Sequence, residues 1–136
     1  MATVYERSVK GSKKASKELK KGDVVYVVLS IDQSRAPYED AHLYSAYRIT
    51  GDHPLLGGAM IGGHSVASLV LNHGPLYTEP PAGLRNVADA GRQVGGPLPK
   101  GEEFDRPLSD GEIRDLQRRV DKHDEETRGA RRGRWL

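Results

Sequence analysis

The sequence predicts a small α+β domain, with an antiparallel β-sheet, a C-terminal helix, and extended basic arms at both chain ends. Three observations carry that expectation. Apolar side chains, only 36% of the 136 residues, concentrate between Val24 and Tyr77. A capping box marks a helix start at Ser109. Lysine and arginine collect near the termini, where apolar residues are sparse. A chain of this length supports one hydrophobic core, and its 16 Gly, 8 Pro and 29% charged residues leave part of it as loop or tail.

Residues 1–22 read as a basic N-terminal arm containing a short helix over Ser12–Lys21. Ser12 is its N-cap, Ala15 and Leu19 share one side, and Gly22 supplies the left-handed residue past its end. Residues 23–78 form the β-rich core. Val24–Ile31 is apolar on both alternating faces and rich in β-branched residues, the pattern of a strand covered on both sides. After a loop containing Pro37, strands follow at Leu43–Ile49, Ala59–Ile61, Val66–Leu71 and Leu76–Thr78. Val66–Leu71 fits two turns of helix as well as a buried strand, and is read as strand. Lys21-Gly22-Asp23 leading into the Val24 strand is similar to the opening of an SH3-like barrel, which implies closure of the sheet as its alternative form. Residues 79–108, with Pro80-Pro81, Gly95-Gly96-Pro97 and Pro99, read as a Gly/Pro-rich connector that wraps a surface or reaches a partner.

The amphipathic helix of residues 109–127 has Ser109 as N-cap and Glu112 at the third helical position. Leu108 and Ile113 are placed to form the hydrophobic staple. Ile113, Leu116 and Val120 recur at spacings of three and four, giving a narrow stripe that docks on the sheet or on a partner helix. Residues 128–136 read as an arginine-rich tail.

Charge is partitioned by region. Residues 1–21 hold seven basic side chains against two acidic ones, a net of +5, whereas residues 22–109 carry a net of −4. The last nine residues hold four arginines and no acid. Lys10, Lys13, Lys14, Lys17, Lys20, Lys21, Arg128, Arg131, Arg132 and Arg134 are therefore the expected partner-binding residues, because clustered cations release counterions from a phosphate backbone and steer association. Trp135 adds an indole face for stacking beside the guanidinium forks.

Signals for other chemistry are thinner. The chain has no cysteine, which excludes disulfides, thiolate zinc sites and a cysteine nucleophile. His42, His53, His64 and His73 are separated by 11, 11 and 9 residues, without the close pair that metal sites use, so no metal is expected. Neither a Walker lysine nor a dinucleotide glycine pattern accompanies the glycine pairs. Glu102, Glu103 and Asp105 sit in a Gly/Pro loop and read as solvated charges.

Gly63-His64-Ser65-Val66-Ala67 resembles, over about a dozen surrounding residues, the nucleophile elbow of the α/β-hydrolases. That resemblance implies Ser65 as nucleophile, an acid such as Asp105 or Asp110, and His123 as base. It departs from the family at Ala67, where glycine is usual, and the chain is too short for the family's large parallel sheet.

The expectation from these residues is a non-enzymatic binding or assembly protein, with no cofactor, whose basic arms engage nucleic acid, a nucleoprotein particle or another anionic surface. The alternatives are a structural subunit of a larger particle, of the phage-connector or capsid-associated kind with protein partners or as a homo-oligomer, and a small serine hydrolase using Ser65. No apolar run approaches the ~20 residues of a membrane helix, and the first 23 residues carry lysine where a signal peptide is apolar. A cytoplasmic protein without membrane contact is expected, or a virion component if the chain is phage-derived.

Overall fold

Val25, Val27 and Leu29 fall on one side of a strand and are buried, as their alternation requires. A computed structural model describes residues 3–30 and 38–133, with side chains through Arg128. Its elements, in chain order, are β1 (Val4–Tyr5), α1 (Val9–Glu18), β2 (Val24–Leu29), β3 (Leu43–Arg48), β4 (Gly51–Asp52), β5 (Ala59–Ile61), β6 (His64–Ser65), α2 (Val66–His73), β7 (Leu76–Tyr77), β8 (Arg85–Asn86), α3 (Val87–Val94), β9 (Glu103–Phe104) and α4 (Asp110–Gly133).

The protein is α+β. β2 and β3 pair antiparallel along their whole lengths, from Val24 opposite Arg48 to Leu29 opposite Leu43. β7 adds to the other edge of β2, and β1 to β7, both antiparallel. Beyond β3, β8 and β9 lie parallel to it. The sheet is therefore mixed and open rather than purely antiparallel or a closed SH3-like barrel: β1 and β8 are opposite ends of its strand order. Neither β8 nor β9 reaches β3 through a tight hairpin, so nothing forces antiparallel pairing. β4, β5 and β6 make a separate antiparallel sheet. α1 packs on α2, and α3 on α4.

Four further expectations are corrected. Val66–Leu71 is helical: Val66, Leu69 and Val70 are buried at helical spacing while Ser68 is exposed, where a strand would have buried positions 66, 68 and 70 together. The first helix is capped four residues before Ser12, at Ser8, whose side chain accepts the Gly11 N–H; Gly22, with φ of 96°, instead serves the turn into β2. The N-terminal segment is not an extended arm, since β1 is a sheet strand and α1 is docked. The 79–108 stretch holds β8, α3 and β9, and buries Val87, Ala88, Phe104 and Leu108. Small residues pack this stretch, with Gly91 and Gly96 lying against the Leu116 side chain.

α4 begins as read. Ser109 Oγ accepts the Glu112 N–H at 3.2 Å, and Glu112 Oε1 accepts the Ser109 N–H at 3.1 Å. The stripe of Ile113, Leu116 and Val120 is buried in the protein's own core, so it offers no free face to a partner helix. The helix continues past 127 to Gly133, which replaces the extended tail by helical backbone over residues 128–133.

Two outcomes follow. At an exposed helical site, Gly→Ala stabilises by roughly 1 kcal/mol. A Cβ on Gly11 would lie 2.0 Å from the Glu6 carbonyl oxygen, so Gly11→Ala should instead destabilise by about 1–3 kcal/mol in urea unfolding. Arg106 donates to both carboxylate oxygens of Glu112, at 2.8 and 2.7 Å, and holds its pKa down at about 2. A carboxylate depressed in the folded state contributes stability that is complete above its unfolded value and lost as pH falls through the folded one. Unfolding free energy should thus decline between pH values of about 4.5 and 2, and Arg106→Met should flatten that decline.

Candidate nucleic-acid interface

α1 has the sequence VKGSKKASKE, and its packing decides which side the lysines occupy. Gly11, Ser12 and Ala15 are buried, and these small residues allow close approach to α2. Lys10, Lys13, Lys14 and Lys17 recur at i, i+3, i+4 and i+7, which sets them on the opposite, solvent-facing side as one stripe. The ion pairs among the described residues involve arginine and histidine; no lysine takes part. Glu18, the one acid on α1, accepts a 3.3 Å hydrogen bond from the Tyr5 hydroxyl.

The helix is fixed at both ends. Arg7 Nε donates to the Leu71 carbonyl at 2.9 Å, and Leu19 is buried just past the last turn. Lys20 Nζ donates to the Lys17 carbonyl at 3.3 Å, closing the helix end, while Lys21 is exposed in the following turn. The four α1 lysines therefore form one surface, and Lys20 and Lys21 continue it past the helix.

Beside α1 stands the β4–β5 hairpin. A Cβ on Gly58 would lie 2.4 Å from Ser16 Oγ, so the hairpin touches α1 between Lys13 and Lys17. Its tip is closed by His53, whose N–H donates to the Gly58 carbonyl at 2.9 Å and whose carbonyl accepts the Gly57 N–H at 3.0 Å. His53 Nδ1 also accepts the N–H groups of Leu55 and Leu56, at 3.1 and 2.9 Å. This turn holds Leu55 and Leu56 out in water, 89% and 86% exposed. Sequence reading passed over them because two leucines between a proline and a glycine pair have no periodicity.

The other expected partner-binding residues lie elsewhere. Val120 is the last buried residue of α4 among the described side chains, and Arg128 lies on its exposed continuation. The side chains of Arg131 and Arg132, and the whole of Arg134 and Trp135, fall outside the described residues. The other face of the main sheet carries an aromatic shelf: Tyr26 and Tyr44 meet edge to face at 5.7 Å, and Tyr77 lies opposite Tyr26. Burial first, and then the nearby Tyr44, Glu103 and Glu102, raise the Tyr26 pKa. A groove of about 500 Å³ runs beside Pro97–Lys100, but its arginines are engaged, Arg48 by Glu103 and Arg106 by Glu112.

Ser65 is the N-cap of α2, its Oγ accepting the Ser68 N–H at 3.1 Å. Asp110 lies 3.7 Å from His73, and His123 is exposed on α4; among the described residues no hydrogen bond or ion pair joins Ser65 to Asp105, Asp110 or His123. Burial lowers the His73 pKa, partly offset by Asp110. Among the described residues no group of three His, Asp or Glu side chains is placed to hold a metal ion, and no helix is long and apolar enough to cross a membrane. No protein-family model, no curated protein and no solved structure matches the chain.

The hairpin tip yields a direct check. His53→Ala removes the acceptor shared by two amides, and hydrogen exchange at Leu55 and Leu56 should then accelerate by about tenfold or more, with the core amides unchanged.

Proposed function

We propose that the protein binds nucleic acid through the lysine face of α1. The observation that carries this reading is the alignment of Lys10, Lys13, Lys14 and Lys17 on one side of a docked helix, with no ion pair to a described residue. Four ammonium groups held on a rigid face neutralise phosphates without first breaking internal salt bridges, and counterion release supplies the free energy. The reading concerns the phosphate backbone, because lysine is a flexible point charge rather than a reader of base edges.

A second reading, a subunit of a larger particle, is favoured by α4. Its 24 residues span about 36 Å at 1.5 Å per residue, yet nothing beyond Val120 is buried among the described side chains. Beyond Val120 the described part of the helix meets the domain through the His42–Asp121 and Arg85–Asp124 ion pairs rather than through apolar packing, and a helix held so sparsely suits a neighbouring subunit. Light scattering across a wide concentration range checks this second reading: a mass that stays at 14.9 kDa throughout removes it.

The primary test is binding to a mixed-sequence duplex over a salt series. Four phosphate contacts give a slope of log K against log salt near −3.6, or about a 10²-fold loss of affinity between 50 and 200 mM salt. Replacing the four lysines by glutamine should flatten the slope by about that amount. Affinity independent of salt would exclude the reading.

A further inference from the structure

Leu55 and Leu56 are the two most exposed large apolar residues described, and they are rigidly presented. Three features set them apart from an ordinary surface leucine. The turn is locked by four hydrogen bonds through His53, so the side chains project without ordering a loop on contact. Gly57 and Gly58 follow them, and a Cβ on Gly57 would meet nothing within 4 Å, leaving room for another backbone to approach. Gly58 rests on Ser16, and the two or three residues from Gly58 back to Leu56 and Leu55 span at most about 7 and 11 Å, which keeps the leucines within reach of the α1 surface that carries Lys13 and Lys17.

An apolar tip beside a lysine-bearing helix matches duplex DNA entered from the side. Proteins that kink a duplex press an apolar side chain between base pairs, partly unstacking one step, while cations on either side hold the phosphates that the kink brings closer. We propose that Pro54, Leu55 and Leu56 form such a wedge, inserting Leu55 or Leu56 into a base step while Lys13 and Lys17 contact the flanking phosphates. The inference rests on the nucleic-acid reading and adds a consequence that phosphate binding alone does not have: the bound duplex is unstacked and bent. Asp52, at the base of the hairpin, is exposed and lies before His53, outside the projecting tip.

The test uses the full chain and duplexes carrying 2-aminopurine, whose fluorescence rises when its neighbours unstack, with end-labelled duplexes reporting the bend by energy transfer. The wild-type protein is expected to raise the fluorescence severalfold and to shorten the end-to-end distance. Leu55→Gln/Leu56→Gln is expected to abolish both signals and to weaken binding by roughly tenfold, while keeping the salt slope and the unfolding midpoint. Binding with the expected salt slope but no fluorescence change overturns the wedge and leaves the lysine reading standing. No binding to duplex, together with leucine-dependent binding to vesicles of phosphatidylserine and phosphatidylcholine, overturns both in favour of a lipid surface.

Discussion

The carbonyl oxygen of Glu6 occupies the space that any side chain at position 11 would need. That single close approach sets the angle at which α1 leaves β1, and much of the protein's surface follows from it. With Gly11 against the Glu6 backbone and Ala15 against α2, the helix has one rotational setting in which its small residues face inward. In that setting Lys10, Lys13, Lys14 and Lys17 face outward together, and Ser16 is turned toward the hairpin. The cationic stripe is the geometric complement of a packing face without bulk.

A second junction fixes the opposite side. Tyr47, buried on β3, accepts the Leu108 N–H at 3.2 Å through its hydroxyl, tying the residue before the α4 cap to the centre of the sheet. Burial raises the Tyr47 pKa, so the phenol stays neutral and the junction holds across the physiological range. Leu108 and Phe104 are buried on either side of Arg106 in the chain, and beyond Val120 α4 stays tied to the domain by the His42–Asp121 and Arg85–Asp124 ion pairs, at 3.0 and 2.8 Å.

The legible parts of this fold were those with strong local codes. β2 and β3 follow from β-branched runs with period two, and the start of α4 follows from Ser109 and Glu112, whose reciprocal hydrogen bonds need no tertiary contact. α2 was read as a strand because a six-residue apolar run is ambiguous, although Ser65 was available as its cap. α3 was invisible for a different reason: Ala88, Ala90 and Gly91 bury little apolar area, and the helix exists because Leu116 packs against it from twenty-five residues away. The lysines were legible as charge, but their arrangement on one face depends on a helix start at Ser8 that the glycine at position 11 disguised. The leucine tip depends on a histidine used as a backbone acceptor, for which composition and spacing carry no code.

The pairing of β1 with β7 also sets an order of events during synthesis. Thr3 and Thr78, 75 residues apart, exchange hydrogen bonds at the edge of this ladder. At about 5–20 residues per second, translation separates the two partners by several seconds. Over that interval the ten residues of α1 form a segment too short to hold a helix alone. The lysines of α1 are therefore shaped into a surface only after α2 and the seventh strand have emerged from the ribosome.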